Sequence, residues 1–168
     1  MSTGTLISVE EYLATSYRPD RDYVDGQVVE RNLGEFDHST WQTAIAAYFW
    51  ARRKNWGIAV AVEQRVQVKA TRFRIPDVCV ILGDPGEQII TKTPFLCIEI
   101  LSPEDRLSRV EERIDDYLAM GVPYVWLLDP HARRGYTATS AEGLREIKSG
   151  VLRTENPALE VPLDQLFA

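Results

Sequence analysis

Phe95-Leu96-Cys97-Ile98-Glu99-Ile100-Leu101 sets six apolar side chains around one carboxylate, between Pro94 and Ser102-Pro103. A run this short and this apolar reads as a strand buried on both faces. An ionised carboxylate left unpaired there costs several kcal/mol, so Glu99 must be protonated, paired with a cation or bound to a metal.

Two further segments give this strand neighbours. Asp77-Val78-Cys79-Val80-Ile81-Leu82 is a second apolar strand, joined to the first through the turn-rich Gly83-Asp84-Pro85-Gly86. An antiparallel register placing Asp77 opposite Glu99 brings both acids to one face and also sets Cys79 against Cys97. Like charges so close raise each other's pKa unless a cation lies between them, and a divalent metal is the natural candidate. Magnesium suits such a pair because it takes hard oxygens and usually only one or two carboxylates. The plainer alternative is a strand-end Asp in solvent and a Glu paired with an arginine.

Downstream, Ser102-Pro103-Glu104-Asp105 has the composition of a helix start, with Ser102 as N-cap and Pro103 at the first helical position. Leu107, Val110, Ile114, Tyr117 and Leu118 form its expected buried stripe, and Gly121 its C-terminal cap. Tyr124–Leu128 follows as an apolar strand stopped by Asp129-Pro130, predicting a parallel strand, helix, strand crossover. The remainder alternates weakly as a hairpin around Ala141-Glu142-Gly143 and ends in Leu163, Leu166 and Phe167.

Upstream, Ser8-Val9-Glu10-Glu11 has capping-box spacing and opens a short helix to about Ala14. Asp25-Gly26 between Tyr23-Val24 and Gln27-Val28-Val29-Glu30 is a hairpin signal. From Asp37 as N-cap, the apolar positions Trp41, Ala44, Ile45, Tyr48 and Phe49 predict an amphipathic helix ending near Arg52-Arg53-Lys54. Ile58–Val62 and Val66-Gln67-Val68 then join the two strands above in an expected meander of three or four strands.

The chain of 168 residues, 45% hydrophobic and 26% charged, fits a single domain over 1–168. With no apolar run near 18 residues and no basic-then-apolar leader, a cytoplasmic protein with no membrane partner is expected. Nineteen basic against twenty-five acidic residues, net −6, argue against a general nucleic-acid coat but not against a local grip. Arg52-Arg53-Lys54, Arg72 with Arg74, and Arg133-Arg134 are the basic clusters, read first as solvated faces or helix ends.

Arg74-Ile75-Pro76-Asp77-Val78, Ile98-Glu99-Ile100-Leu101-Ser102-Pro103 and the segment from Tyr117 through Gly121-Val122-Pro123 to Asp129-Pro130 together resemble the Uma-two family of putative restriction endonucleases, within the PD-(D/E)XK nuclease superfamily. Tyr23-Val24-Asp25-Gly26 and Asp37-His38 fall where that family has a hairpin and a histidine opening a helix. The resemblance covers nearly the whole chain. It implies an α/β (α+β) restriction-endonuclease-like mixed sheet flanked by helices, with Asp77, Glu99 and the carbonyl of Ile100 holding magnesium or manganese. It also implies a nucleic-acid substrate, DNA being the expected class, cleaved by phosphodiester hydrolysis. The superfamily lysine two residues after the glutamate is Leu101 here, and the lysine of the family's EKLxxY-like pattern is Arg113 in Glu112–Tyr117. Arginine stabilises developing negative charge but stays protonated, so it cannot act as the base.

Asp77, Glu99, Arg113 and His38 are therefore the candidate catalytic residues, with Glu30 and Glu35 as further acids in reach by sequence. The alternative is a catalytically degenerate nuclease fold serving as a nucleic-acid-binding or oligomerising module, favoured by Arg113. In a third, purely structural role, Glu99 simply pairs with Arg113. A homodimer is compatible with cutting two strands by two subunits. Cys79 and Cys97, and Trp41, Tyr48 and Phe49, read as core.

Overall fold

The computed structural model describes residues 4–32 and 34–167, and in it the chain opens with α1 (Val9–Leu13) and the hairpin β1 (Asp22–Val24) and β2 (Gln27–Val29). There follow α2 (Phe36–Trp56), β3 (Ile58–Val62), β4 (Val66–Lys69), β5 (Arg72–Arg74), β6 (Val78–Leu82) and β7 (Leu96–Ile100). After α3 (Leu107–Met120) come β8 (Tyr124–Asp129), β9 (Arg134–Thr139), β10 (Gly143–Glu146), β11 (Val151–Arg153) and β12 (Glu160–Pro162), then a 3-10 turn at Leu163–Leu166. Among the described residues, no helix is long and apolar enough to cross a membrane.

A six-stranded mixed sheet runs in the order β10-β9-β8-β7-β6-β3, and only β7 and β8 in it are parallel. This is the crossover expected around α3. A second, antiparallel sheet has the order β2-β1-β5-β4. Strand periodicity sorts the main sheet's side chains into two layers. Val78, Val80, Leu96, Ile98, Trp126 and Leu128 pack on Trp41, Ile45 and Phe49 of α2. Cys79, Cys97, Val125 and Leu127 pack on Val110, Ile114 and Tyr117 of α3. Both cysteines are buried, and they pair in register as small core residues.

Local signals hold where they close their own hydrogen bonds. Ser8 Oγ accepts the Glu11 N–H at 3.1 Å, capping α1. Asp25 (φ 49°) and Gly26 (φ 94°) supply the consecutive positive φ values of a two-residue hairpin turn. Gly121, at φ 100°, ends α3: its N–H donates to Leu118 O and that of Val122 to Tyr117 O.

Three expectations need correction. Asp37 is not the N-cap of α2: Glu35 has the extended backbone and its carbonyl accepts the Ser39 N–H, leaving Asp37 in the first turn, where its charge favours the helix dipole. The helix ends at Trp56 with Arg53 and Lys54 in its last turn, as expected, and left-handed Gly57 closes it. Ser102 does not cap α3. Asp105 folds back on it, its Oδ2 accepting the Ser102 N–H at 2.7 Å, so the helix starts at Leu107, which is 62% exposed instead of buried. Finally, β4 leaves the meander. It pairs with β5, an unpredicted strand, which in turn pairs with β1, and Phe73 of β5 packs with Tyr12 and Tyr23 in a small separate core. β3 therefore pairs directly with β6.

Candidate active site

The register of β6 on β7 pairs Val78 with Ile98 and Cys79 with Cys97, and continuing it by one residue sets Asp77 opposite Glu99. Both acids share the parity of the cysteines, so they lie toward α3 at the end of the sheet. Asp77 precedes β6 and is fastened on several sides. Its Oδ2 accepts the Ile100 N–H at 2.7 Å, and its carbonyl accepts Gln42 Nε2 at 3.0 Å and the Glu63 N–H at 3.2 Å. Asp77 and Glu99 are each 3% exposed.

Each carboxylate faces a cation. Asp77 Oδ1 lies 3.2 Å from Arg31 Nη2 and 3.3 Å from His38 Nε2, the former from the segment after β2 and the latter from the first turn of α2. Glu99 Oε1 accepts the Tyr117 hydroxyl at 2.6 Å, while Oε2 lies 3.6 Å from Arg113 Nε. Arg113 and Tyr117 are four residues apart on α3, the spacing that puts both on one helix face. The Arg113 Nη2 also lies 3.8 Å from Asp105, whose Oδ1 accepts Asn32 Nδ2 at 2.8 Å. Behind them, buried Asp22 pairs with Arg74 at 3.2 Å.

Burial dominates the electrostatics. It pushes the Glu99 carboxyl up to about 7, against the opposing charge of Arg113 and with a further push from Asp77. The charge of Glu99 holds the Arg113 guanidinium above its ordinary value, against burial. Burial disfavours the His38 imidazolium, yet the hydrogen bond and charge of Asp77 outweigh it and hold its pKa above the ordinary value. The Tyr117 hydroxyl is pushed well up by burial and by Glu99, so it stays a donor.

Sequence reasoning named Asp77, Glu99, Arg113 and His38, and all four meet here. The Ile100 amide is engaged by Asp77 and its side chain is core, so only its carbonyl remains as a backbone ligand candidate. Glu30 and Glu35 stand at the clefts and not against the acid pair: Glu30 pairs with Arg21 at 3.1 Å and lines the cleft shared with Arg113, and Glu35, exposed ahead of α2, lines a cleft with His38. Arg31, Asp22, Asp105 and Tyr117 were missed as site residues. Tyr117 carried a signal, since a buried tyrosine hydroxyl needs a partner; Arg31 carried none. Of the basic clusters, Arg72 and Arg74 pair with Asp25, Asp22 and Asp116, Arg134 lies 3.4 Å from Glu146, and Arg53 lies over Trp50.

Among the described residues, three clefts reach this cluster. One of about 210 Å³ is lined by Asp22, Glu30, Asn32, Asp105 and Arg113; a second, about 120 Å³, by Arg31, Gly34, His38, Gln42 and Asp77; and a third, about 410 Å³, by Glu35, His38, Ser102 and Asp129. Among the described residues, Asp22 Oδ1, His38 Nδ1 and Arg113 Nε are buried without a hydrogen-bond partner, polar capacity left over around the acid pair. Among the described residues, no three His, Cys, Asp or Glu side chains group as a metal cage. Two carboxylates are a donor set that a hard divalent ion completes with water and substrate oxygens.

The model of the Uma2 family, described as "Putative restriction endonuclease", matches residues 9–166. In fold, the chain is similar to the crystal structure of a putative nuclease belonging to DUF820 from Anabaena variabilis ATCC 29413. The TM-score is 0.83, with 20% sequence identity over 96% of this chain and 97% of that one. A search of curated proteins returns no match.

Proposed function

The chain belongs to the Uma2 family of putative restriction endonucleases, and on that premise we propose that it hydrolyses nucleic-acid phosphodiester bonds, DNA first, at the Asp77–Glu99 site with magnesium or manganese. One observation carries the reading: two buried carboxylates stand opposite each other on adjacent strands, with Asp77 locked to the amide of Ile100. Asp77, Glu99 and the Ile100 carbonyl would hold the ion. When bound, it would neutralise charge on phosphoryl oxygens and make a coordinated water more acidic.

The chain's own groups do the rest. Arg113 and Arg31 hold the Glu99 and Asp77 carboxylates in place from 3.6 and 3.2 Å, and present guanidinium charge to an incoming phosphate. His38 donates toward Asp77 from Nε2 and holds that acid's orientation. Calorimetric titration of wild type and Glu99→Ala with magnesium and manganese tests the assignment: indistinguishable isotherms would sink it.

A second reading rests on the same cluster. Arg31 and Arg113 already neutralise both acids, as a fold that had given up catalysis and kept the site as a binding or structural unit would arrange them. Cleavage of plasmid, oligonucleotide and RNA with either metal, beside Asp77→Ala, separates the two. Metal-dependent products from wild type alone support the nuclease, and none from either protein supports the degenerate module.

A further inference from the structure

The main sheet ends in two unlike edges. Its outer strand on one side, β10, carries Arg145 and Glu146, charges of the kind that keep an edge from pairing. On the other side β3 reads Ile58-Ala59-Val60-Ala61-Val62, with no charge and no proline, and its five-residue register with β6 is unbroken by a bulge. Among the described residues β3 pairs with β6 alone. Beside this edge, β3 and α2 enclose a groove of about 690 Å³ lined by Ala46, Ala47, Trp50, Val60, Val62 and Glu63. Trp50 is 55% and Val62 53% exposed, large apolar surface left in water.

We propose that this edge seats a second copy of the chain, β3 against β3, antiparallel about a two-fold axis through Val60. The strand is its own complement in that register. Ile58 falls opposite Val62, Ala59 opposite Ala61, and Val60 opposite itself. Partners then have equal parity, so large side chains meet on the α2 face and alanines meet on the other. Charge points the same way. The acid Glu63 follows the strand, while Arg53 and Lys54 occupy the last turn of α2 just before Gly57 and the strand's start. Antiparallel pairing brings Glu63 of each copy opposite Gly57 of the other, so an acidic end meets a basic end twice, whereas a parallel pairing sets like ends together.

Size requires the groove as well as the edge. A stable interface buries about 800 Å² per partner, more than five paired residues supply. The flank of α2 with Trp50 adds the aromatic anchor typical of interface centres. The axis is normal to the sheet, so both Asp77–Glu99 pairs lie on one face. Val62 pairs with Val78, so each Asp77 is three residues from the axis and one strand inward. At about 3.4 Å per residue and 4.8 Å between strands, the two sites stand about 25 Å apart. The dimer itself does not depend on the nuclease reading.

Sedimentation equilibrium on the full chain at micromolar concentration should give twice its 19.1 kDa mass. Val62→Lys, with an unchanged circular dichroism spectrum, should weaken association at least tenfold. Val60→Cys under a copper oxidant should link copy to copy at residue 60, the native cysteines being buried. Should Val60→Cys misfold, Ala59→Cys mixed with Ala61→Cys reads the same register. A monomeric wild type overturns the proposal. So does a dimer whose cysteines in this register fail to link, whichever way Val62→Lys behaves.

Discussion

Replacing Arg113 with methionine should cost little stability at neutral pH and progressively more above it. Glu99 is buried, with its carboxyl pushed up to about 7 from an ordinary 4.5. Between those values the folded chain binds more protons than the unfolded one, so the contribution of Glu99 to stability falls as pH rises, then levels off above 7. Arg113 acts only on the ionised form. At pH 7 about half the molecules carry it, so losing the guanidinium removes under ~1 kcal/mol through Glu99. Each further pH unit adds about 1.4 kcal/mol until the variant's own higher pKa is reached, giving about 3 kcal/mol at pH 9. A pair fixed in its charged state would instead lose about 3–5 kcal/mol at every such pH. Urea unfolding of wild type, Arg113→Met, Glu99→Gln and the double variant, from pH 6 to 9 with chelator present, reads the difference. The cycle also removes what Arg113 contributes through Asp105, 3.8 Å away. A loss of several kcal/mol already present at pH 6 and flat to pH 9 would refute the raised carboxyl.

Replacing the pair together with the tyrosine that donates to it, Glu99→Leu, Arg113→Met and Tyr117→Phe, should leave stability within about 1 kcal/mol of wild type or improve it, because the buried pair and the hydroxyl it satisfied go together; urea midpoints check this. Asp77→Ala should destabilise by about 3 kcal/mol, since Arg31 and His38 then lose the acid in contact with them and the Ile100 N–H loses its acceptor. Comparing its urea unfolding with wild type reads that loss. His38 stabilises most below its ordinary pKa near 6.5, and that contribution should fade as pH rises through its raised folded value. The stability gap between wild type and His38→Gln should therefore narrow with rising pH, and a widening gap would contradict the Asp77 contact. Gly121→Ala should lower the melting temperature at a cost of about 1–2 kcal/mol, because φ of 100° crowds a Cβ.

What sequence patterning disclosed was local. The hairpin at Asp25-Gly26, the α1 cap at Ser8 and the stop at Gly121 each depend on a few adjacent residues, and each stands as read. The register that sets Asp77 against Glu99 was legible too, because alternation leaves few ways to bury two apolar strands side by side. The errors came where a nearby group competed. Asp105 turned back to Ser102 and took its amide, delaying α3 by a turn. Arg72-Phe73-Arg74 hid a strand because its two arginines look like solvent-facing charge, whereas in the fold they pair with Asp25, Asp22 and Asp116.

By itself, then, the sequence determined that a carboxylate is buried at Glu99, that Asp77 lies opposite it, and that α3 crosses between parallel strands. A seven-residue apolar run forces that burial whatever surrounds it. The tertiary structure alone decided which cations answer the acids. Arg31 reaches Asp77 across 46 residues of chain and Tyr117 reaches Glu99 across 18. Periodicity reports which face of an element is covered, but the charge that arrives on that face depends on which distant segment packs there.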